Sequence, residues 1–266
     1  RRAGQRPPHP AIPAIKPFRY GLLGLGAFLL FLLLLAPASL ITDRISARLP
    51  GFTAQTVEGT ATDGIMQGLQ WRGARIEKLG WDWRPLALAT GRLGFRLDAD
   101  DPDFKLTGDA AIGWDRQWRF RDLAGRALLD KLYALAGQPK LPLQGVVELN
   151  IQELRLNAAG RPTTANGVVH LRNLRTTLGQ PLTLGDFVVE ATPADPSGIQ
   201  GKIQDDNGPL TLAGTFSLLP DGRYRFSGQA AVRDAGNQAL RQALNLLGPP
   251  DGNGRWTLNF SGILAW

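Results

Sequence analysis

The chain has 266 residues, room for one all-β domain or two smaller ones, and its 32 Gly and 19 Pro stay below the share that marks low complexity. It holds no cysteine and two histidines, His9 and His170, which removes disulfides, thiolate nucleophiles, cysteine-based zinc or iron–sulfur sites and any multi-histidine metal centre. The formal charge of +7 is unevenly placed: Arg1, Arg2, Arg6, Lys16 and Arg19 put +5 on residues 1–20, leaving 7 − 5 = +2 on the rest, which argues against a nucleic-acid-binding body.

Residues 21–41, GLLGLGAFLLFLLLLAPASLI, carry no charge and as a helix would reach ~30 Å, the thickness of a bilayer's hydrocarbon core. A buried core helix would keep more of a polar stripe than Ser39 provides, so the run reads as a membrane span after a basic cytoplasmic tail, residues 1–20. Five positive charges precede it, and Arg44 and Arg48, partly offset by Asp43, follow it. The positive-inside rule therefore puts the N-terminus in the cytoplasm and the body across the membrane. A cleaved signal peptide is the competing reading, because Ala36-Pro37-Ala38 imitates a small-residue cleavage site whose use would remove residues 1–38. The apolar run exceeds the usual ~7–15 residues of a signal peptide's hydrophobic region, which favours an uncleaved anchor.

After a linker, residues 42–52, the body at 53–266 reads as β structure, with short alternating runs between turn signals. Leu93, Phe95 and Leu97 alternate with Arg92, Arg96 and Asp98. Asp98, Asp100, Asp101 and Asp103 lack calcium-loop spacing and read as a solvated loop. Leucines at three- and four-residue spacing over residues 123–136 and 235–247 predict two short helices, begun at Asp122 and Asp234 and stopped at Gly137 and Gly248. Between them, Val147, Leu149 and Ile151 give way to Leu154 and Leu156, a slip of parity near Gln152 and Glu153 that predicts a bulge or bend in a curved sheet. Asp205-Asp206-Asn207-Gly208 reads as a turn. Leu210, Leu212, Phe216 and Leu218, then Pro220-Asp221-Gly222, then Tyr224, Phe226 and Val232 predict a hairpin; Trp256, Leu258 and Phe260 predict a last strand. The fold class is mainly β: one transmembrane helix, then a curved, incompletely closed antiparallel sheet, a half-open barrel or taco, with two short helices covering it.

Ordered motifs carry a resemblance to a known family. They are Val57-Glu58-Gly59-Thr60, Leu79-Gly80-Trp81-Asp82-Trp83-Arg84-Pro85-Leu86-Ala87-Leu88 with Gly91-Arg92-Leu93, then Leu184-Gly185-Asp186, Gly208-Pro209-Leu210, Asp221-Gly222-Arg223-Tyr224, and Leu246-Leu247-Gly248 leading to Gly254-Arg255. Together they resemble the type II secretion system protein N family over the whole length, departing at Ala61-Thr62-Asp63-Gly64, where many relatives carry a small-aromatic-Ser-Gly stretch. The resemblance implies an accessory component of the bacterial inner membrane with a periplasmic β domain and no known catalysis. It also implies partners among the secretin and the inner-membrane assembly platform proteins, beside membrane lipid.

Candidate interaction or groove-lining residues are Trp71, Trp81, Trp83, Arg84, Tyr224, Phe226, Trp256 and Phe260. Trp81 and Trp83 share one strand face, as core-filling pairs do; the same reading covers Trp114 and Trp118, and Tyr224 is expected inside its hairpin. His170 has no second ligand near it in sequence and reads as structural, and nucleophile elbows, P-loops and dinucleotide fingerprints are missing. No catalytic residue, metal, cofactor or small-molecule substrate is expected. Two classes of function stand: a structural and interaction module of type II secretion, and a lipid- or hydrophobe-handling groove of the AsmA-like type, separated by whether side chains pack the sheet's inner face or leave it open.

Overall fold

The computed structural model describes residues 37–38, 51–71, 73–136, 142–176, 181–195 and 198–264. Thirteen strands follow one another in a single antiparallel sheet. They are β1 (Thr56–Gly59), β2 (Asp63–Trp71), β3 (Ala74–Trp83), β4 (Arg92–Asp101), β5 (Phe104–Gly113), β6 (Trp118–Leu128), β7 (Leu143–Leu156), β8 (Pro162–Thr176), β9 (Leu182–Pro193), β10 (Ile199–Asn207), β11 (Leu210–Leu218), β12 (Arg223–Val232) and β13 (Arg255–Ile263). Every strand pairs with its neighbours in sequence, and β1 and β13 are the two edges, so the sheet is open. The hairpin register sets Leu210 against Val232 and Phe216 against Phe226, as the alternation predicts. The predicted bulge is present too: pairing of β7 with β8 shifts between Ile151 and Glu153.

Because each strand connects directly to the next, turns alternate between two rims. The turns after β2, β4, β6, β8, β10 and β12 share one rim, which also holds α1 (Leu129–Ala136) and α2 (Gln238–Asn245). Under these helices lie two clusters of side chains. Met66, Leu69, Ile76, Ala99, Phe104 and Ala127 pack with Leu132 and Leu135 of α1. Phe187, Leu210, Ala230 and Trp256 pack with Leu240 and Leu244 of α2. An amphipathic helix cannot bury its apolar stripe alone, and the sheet's inner face supplies the partner surface. The opposite rim, with the turns after β1, β3, β5, β7, β9 and β11, carries a 3-10 helix at Pro85–Thr90 in which no residue is buried.

Three expectations are corrected. Residues 123–128 belong to β6, paired on both sides with β5 and β7, and only the second half of the expected first helix is helical. Ladder bonds on two flanks override local leucine spacing, and Asp122 at φ 49° re-phases the strand so that Ala127 points inward. The second helix starts at Gln238, because the Asn237 side chain accepts from Leu240 N–H (3.1 Å), while Asp234 bonds Gly236 N–H in the turn before. The acidic run is not a solvated loop: Asp98 and Asp100 lie on β4, and Asp101 is buried at its end. Gly137 and most of residues 1–50 lie outside the described residues.

Pro37 and Ala38, near the end of the apolar run, are described: Pro37 bridges Thr60 in the β1–β2 turn, and Ala38 is buried against the body. No helix among the described residues is long and apolar enough to cross a membrane.

Candidate interaction surface

The eight candidate residues fall into two groups on distant strands. Trp71 and Trp81 pack against the first cluster, and Trp83 pairs with Phe95 across β3–β4. Trp81 lies over Gly64 of β2, where a Cβ would come 2.4 Å from its ring, so only glycine fits beneath the indole. Arg84 follows this strand with its Nε 3.9 Å from Asp109 Oδ1, which Arg96 also faces at 3.8 Å; both distances are too long for a hydrogen bond, and Arg84 Nε and Asp109 Oδ1 are buried without a hydrogen-bond partner. On the other side, Trp256 is buried in the second cluster, and its indole N–H donates to Gly248 O (3.1 Å). Phe226 stacks on Phe260 with centroids 6.1 Å apart, and Tyr224 lies across Gly262. Core-filling thus accounts for Trp71, Trp81 and Trp256, but not for Trp114 and Trp118. Trp114 is 89% exposed in the β5–β6 turn, and Trp118, 41% exposed, stacks on Phe120.

The motif spacing acquires a physical reason at Gly185 and Gly208. Both have positive φ (114° and 140°), and their backbones touch: a Cβ on Gly208 would lie 2.4 Å from Gly185 Cα. Asp186 accepts from Asn173 N–H (2.7 Å) and from Arg172, which also pairs with Asp206. These two motifs, far apart in sequence, are one close contact between β9 and the β10–β11 turn.

Sequence reasoning missed the anchor of α1. Asp101 accepts from Glu77 N–H (3.2 Å) and Asp103 N–H (3.1 Å) and forms an ion pair with Lys131 of α1, which also donates to Arg75 O (2.9 Å). Burial pushes the Asp101 carboxyl up, but Lys131 and the two N–H donors outweigh it and hold it below the usual carboxylate value. The signal available was Lys131 itself, the one basic residue of a helix whose other charged residue is Asp130.

The outward edge of β13 is built differently from a blunted one. Leu264 N–H donates to Gly222 O and Leu219 N–H to Arg223 O (both 2.9 Å), which fixes the alternation on β12 and β13. Even-numbered residues of β13 bond β12, and the N–H and C=O groups of Thr257, Asn259, Ser261 and Ile263 point to the other side, where no strand pairs among the described residues. The strand runs nine residues in unbroken register, contains no proline and bears one charge, Arg255. Its inner face is apolar through Trp256, Leu258 and Phe260, the last 45% exposed. Edges of monomeric sheets are usually broken by charge, proline or bulges.

An open antiparallel sheet with two helix-covered cores defines the class as a mainly β domain with two sheet edges. Comparison then fixes the family. A family profile described as Type II secretion system (T2SS), protein N matches residues 50–259, and the chain belongs to this family. It is similar to the type II secretion system protein N of Klebsiella pneumoniae (30% identical over 245 residues, 88% of this chain and 91% of that one). It is similar also to those of Pectobacterium carotovorum subsp. carotovorum (26% over 250 residues, 90% and 94%) and Aeromonas hydrophila (27% over 250 residues, 89% and 94%). No solved structure matches it significantly.

Proposed function

We propose that the chain is a non-enzymatic component of the type II secretion machinery, anchored in the inner membrane by the apolar run and acting in the periplasm as an interaction module. The free edge of β13 carries this reading. A partner strand laid beside Thr257, Asn259, Ser261 and Ile263 gains main-chain hydrogen bonds, and alternating side chains supply selection. Tethering to the same membrane as the inner-membrane assembly platform proteins raises local concentration toward the ~mM range, so weak contacts suffice. The bridge from Pro37 to Thr60 and the burial of Ala38 favour retention of the N-terminal segment over its removal after Ala38.

Proline at position 261 tests the edge. It deletes an outward N–H and spares those bonding β12, so Ser261→Pro should fold with a Tm within ~4 °C of the parent while secretion falls sharply. Ser261→Ala, which keeps the N–H, should behave as the parent. Normal secretion with the proline variant would remove strand addition at β13 from the account.

One observation favours a second reading, a hydrophobe-binding groove. Beside the first cluster, a cleft of about 300 Å³ is lined by uncharged side chains including Phe52, Trp81, Phe95, Ile112 and Trp118. It is confined to the β1–β6 side and runs into a core packed under α1, which suits one short apolar segment better than a continuous lipid channel.

A further inference from the structure

The two rims differ in which side chains gather at their turn tips as well as in helices. On the helix rim the carboxylates beside the turns are mostly paired with cations: Asp100 with Lys105, Asp101 with Lys131, Asp205 with Arg233 and Asp206 with Arg172. Leu246 (89% exposed) and Leu247 also stand out on the helix rim, after α2, whereas the open rim sets its exposed apolar side chains beside arginines. Leu86 (87% exposed) and Leu88 project from the 3-10 helix, and Trp114 (89% exposed) projects from the next turn. The two turns touch, since Trp114 lies 3.6 Å from where a Gly91 Cβ would stand. Arginines surround them: Arg116 sits in the Trp114 turn, and Arg84, Arg92, Arg119 and Arg121 line a groove of about 460 Å³ beside the 3-10 helix, against the carboxylates of Asp109 within it and Asp115 in the turn. Burial, with the neighbouring charges of Arg155 and Arg92, pushes the Arg119 guanidinium below its usual pKa against the pull of Glu153, with which it pairs at 3.3 Å. Exposed tryptophan and leucine ringed by arginine is the composition of a membrane–water interface, where aromatic rings sit at headgroup level and guanidinium groups pair with phosphate.

The chain's own geometry brings this rim to the membrane. The uncharged run starts at residue 21, and Pro37 already bridges Thr60 in the β1–β2 turn of the open rim. Sixteen residues, 21–36, lie between, which as a helix reach ~24 Å, short of a ~30 Å hydrocarbon core. A short span draws its flanks inward, and here the flank is the rim that carries Leu86, Leu88 and Trp114. We propose that the open rim docks on the anionic bilayer surface, with Leu86, Leu88 and Trp114 in the headgroup region and Arg84 and Arg116 on lipid phosphates, so that the helix rim points away. This rests on the anchored, export-side placement proposed above.

The full chain has no cysteine, so Leu86→Cys, Trp114→Cys and Leu246→Cys can each carry one environment-sensitive fluorophore in the protein reconstituted into phosphatidylglycerol-containing bilayers. The labels at 86 and 114 should be blue-shifted and lose most of their emission to nitroxide-bearing lipids, while the label at 246, on the helix rim, stays water-like and is quenched by iodide. Pairing each rim label with Arg84→Gln and Arg116→Gln should reduce lipid quenching; unchanged quenching would overturn the assignment of the arginines to phosphate. Rim labels open to iodide would overturn the docking, and labels shielded from both quenchers would replace it with a protein contact. Extraction of the chain by alkali would instead remove the anchor reading, while quenching measured before extraction still reports the docking directly.

Discussion

Replacing Asp101 with alanine should destabilise the body by about 3–5 kcal/mol, because it takes the carboxylate partner from Lys131, which keeps only Arg75 O, and leaves two backbone N–H donors unpaired at a buried site. For a domain of this size that is a fall in Tm of roughly 6–20 °C, read by calorimetry. Asp101→Asn keeps the shape and loses the ion pair, and its cost should depend on pH. The folded carboxyl has a lowered pKa, so its contribution is present above the ordinary carboxylate pKa of ~3.9 and is lost as pH falls through the lower, folded value. The gap in stability between the parent and Asp101→Asn should therefore be full at neutral pH and shrink in acid. A gap independent of pH down to the acid transition would show that the ion pair contributes nothing.

Gly185→Ala should be nearly as damaging, at about 3 kcal/mol or a fall in Tm of roughly 6–12 °C. The new methyl would meet Asn207 O at 2.5 Å and Gly208 Cα at 2.7 Å, on a backbone at φ 114° that alanine rarely adopts. Gly160→Ala separates strain from collision: its φ is 77°, nothing lies within 4 Å of the added carbon, and about 1 kcal/mol is expected. Equal losses at the two positions would mean that the β9 contact with the β10–β11 turn is not tight.

The hairpin over residues 210–232 was legible because its two signals agree, alternation along both strands and Pro-Asp-Gly between them, and the structure keeps that register. The bulge near Glu153 was legible for a related reason: a parity slip is the sequence trace of an extra residue. Residues 123–128 misled because their leucine spacing is local, whereas β5 and β7 claim the segment from both flanks. Asp101 misled because an aspartate among aspartates reads as solvated, and its partner Lys131 is 30 residues away. The candidate surface was legible only in outline. Trp256 and Phe260 are apolar residues on an alternating strand, but which side of β13 lacks a partner depends on the order of all thirteen strands. Trp114 was read as core because paired tryptophans usually are, and nothing local to it says that a turn presents it outward at the open rim.

Photo-crosslinking in intact membranes tests the central claim most directly. A photoreactive residue at Thr257, Ser261 or Ile263, beside the outward backbone groups of β13, should capture another protein of the secretion machinery. The same probe at Thr215 or Ser217, on a strand flanked by β10 and β12, should capture little. If the β13 positions yield phospholipid and no secretion protein, the interaction-module reading is contradicted and the groove reading takes its place.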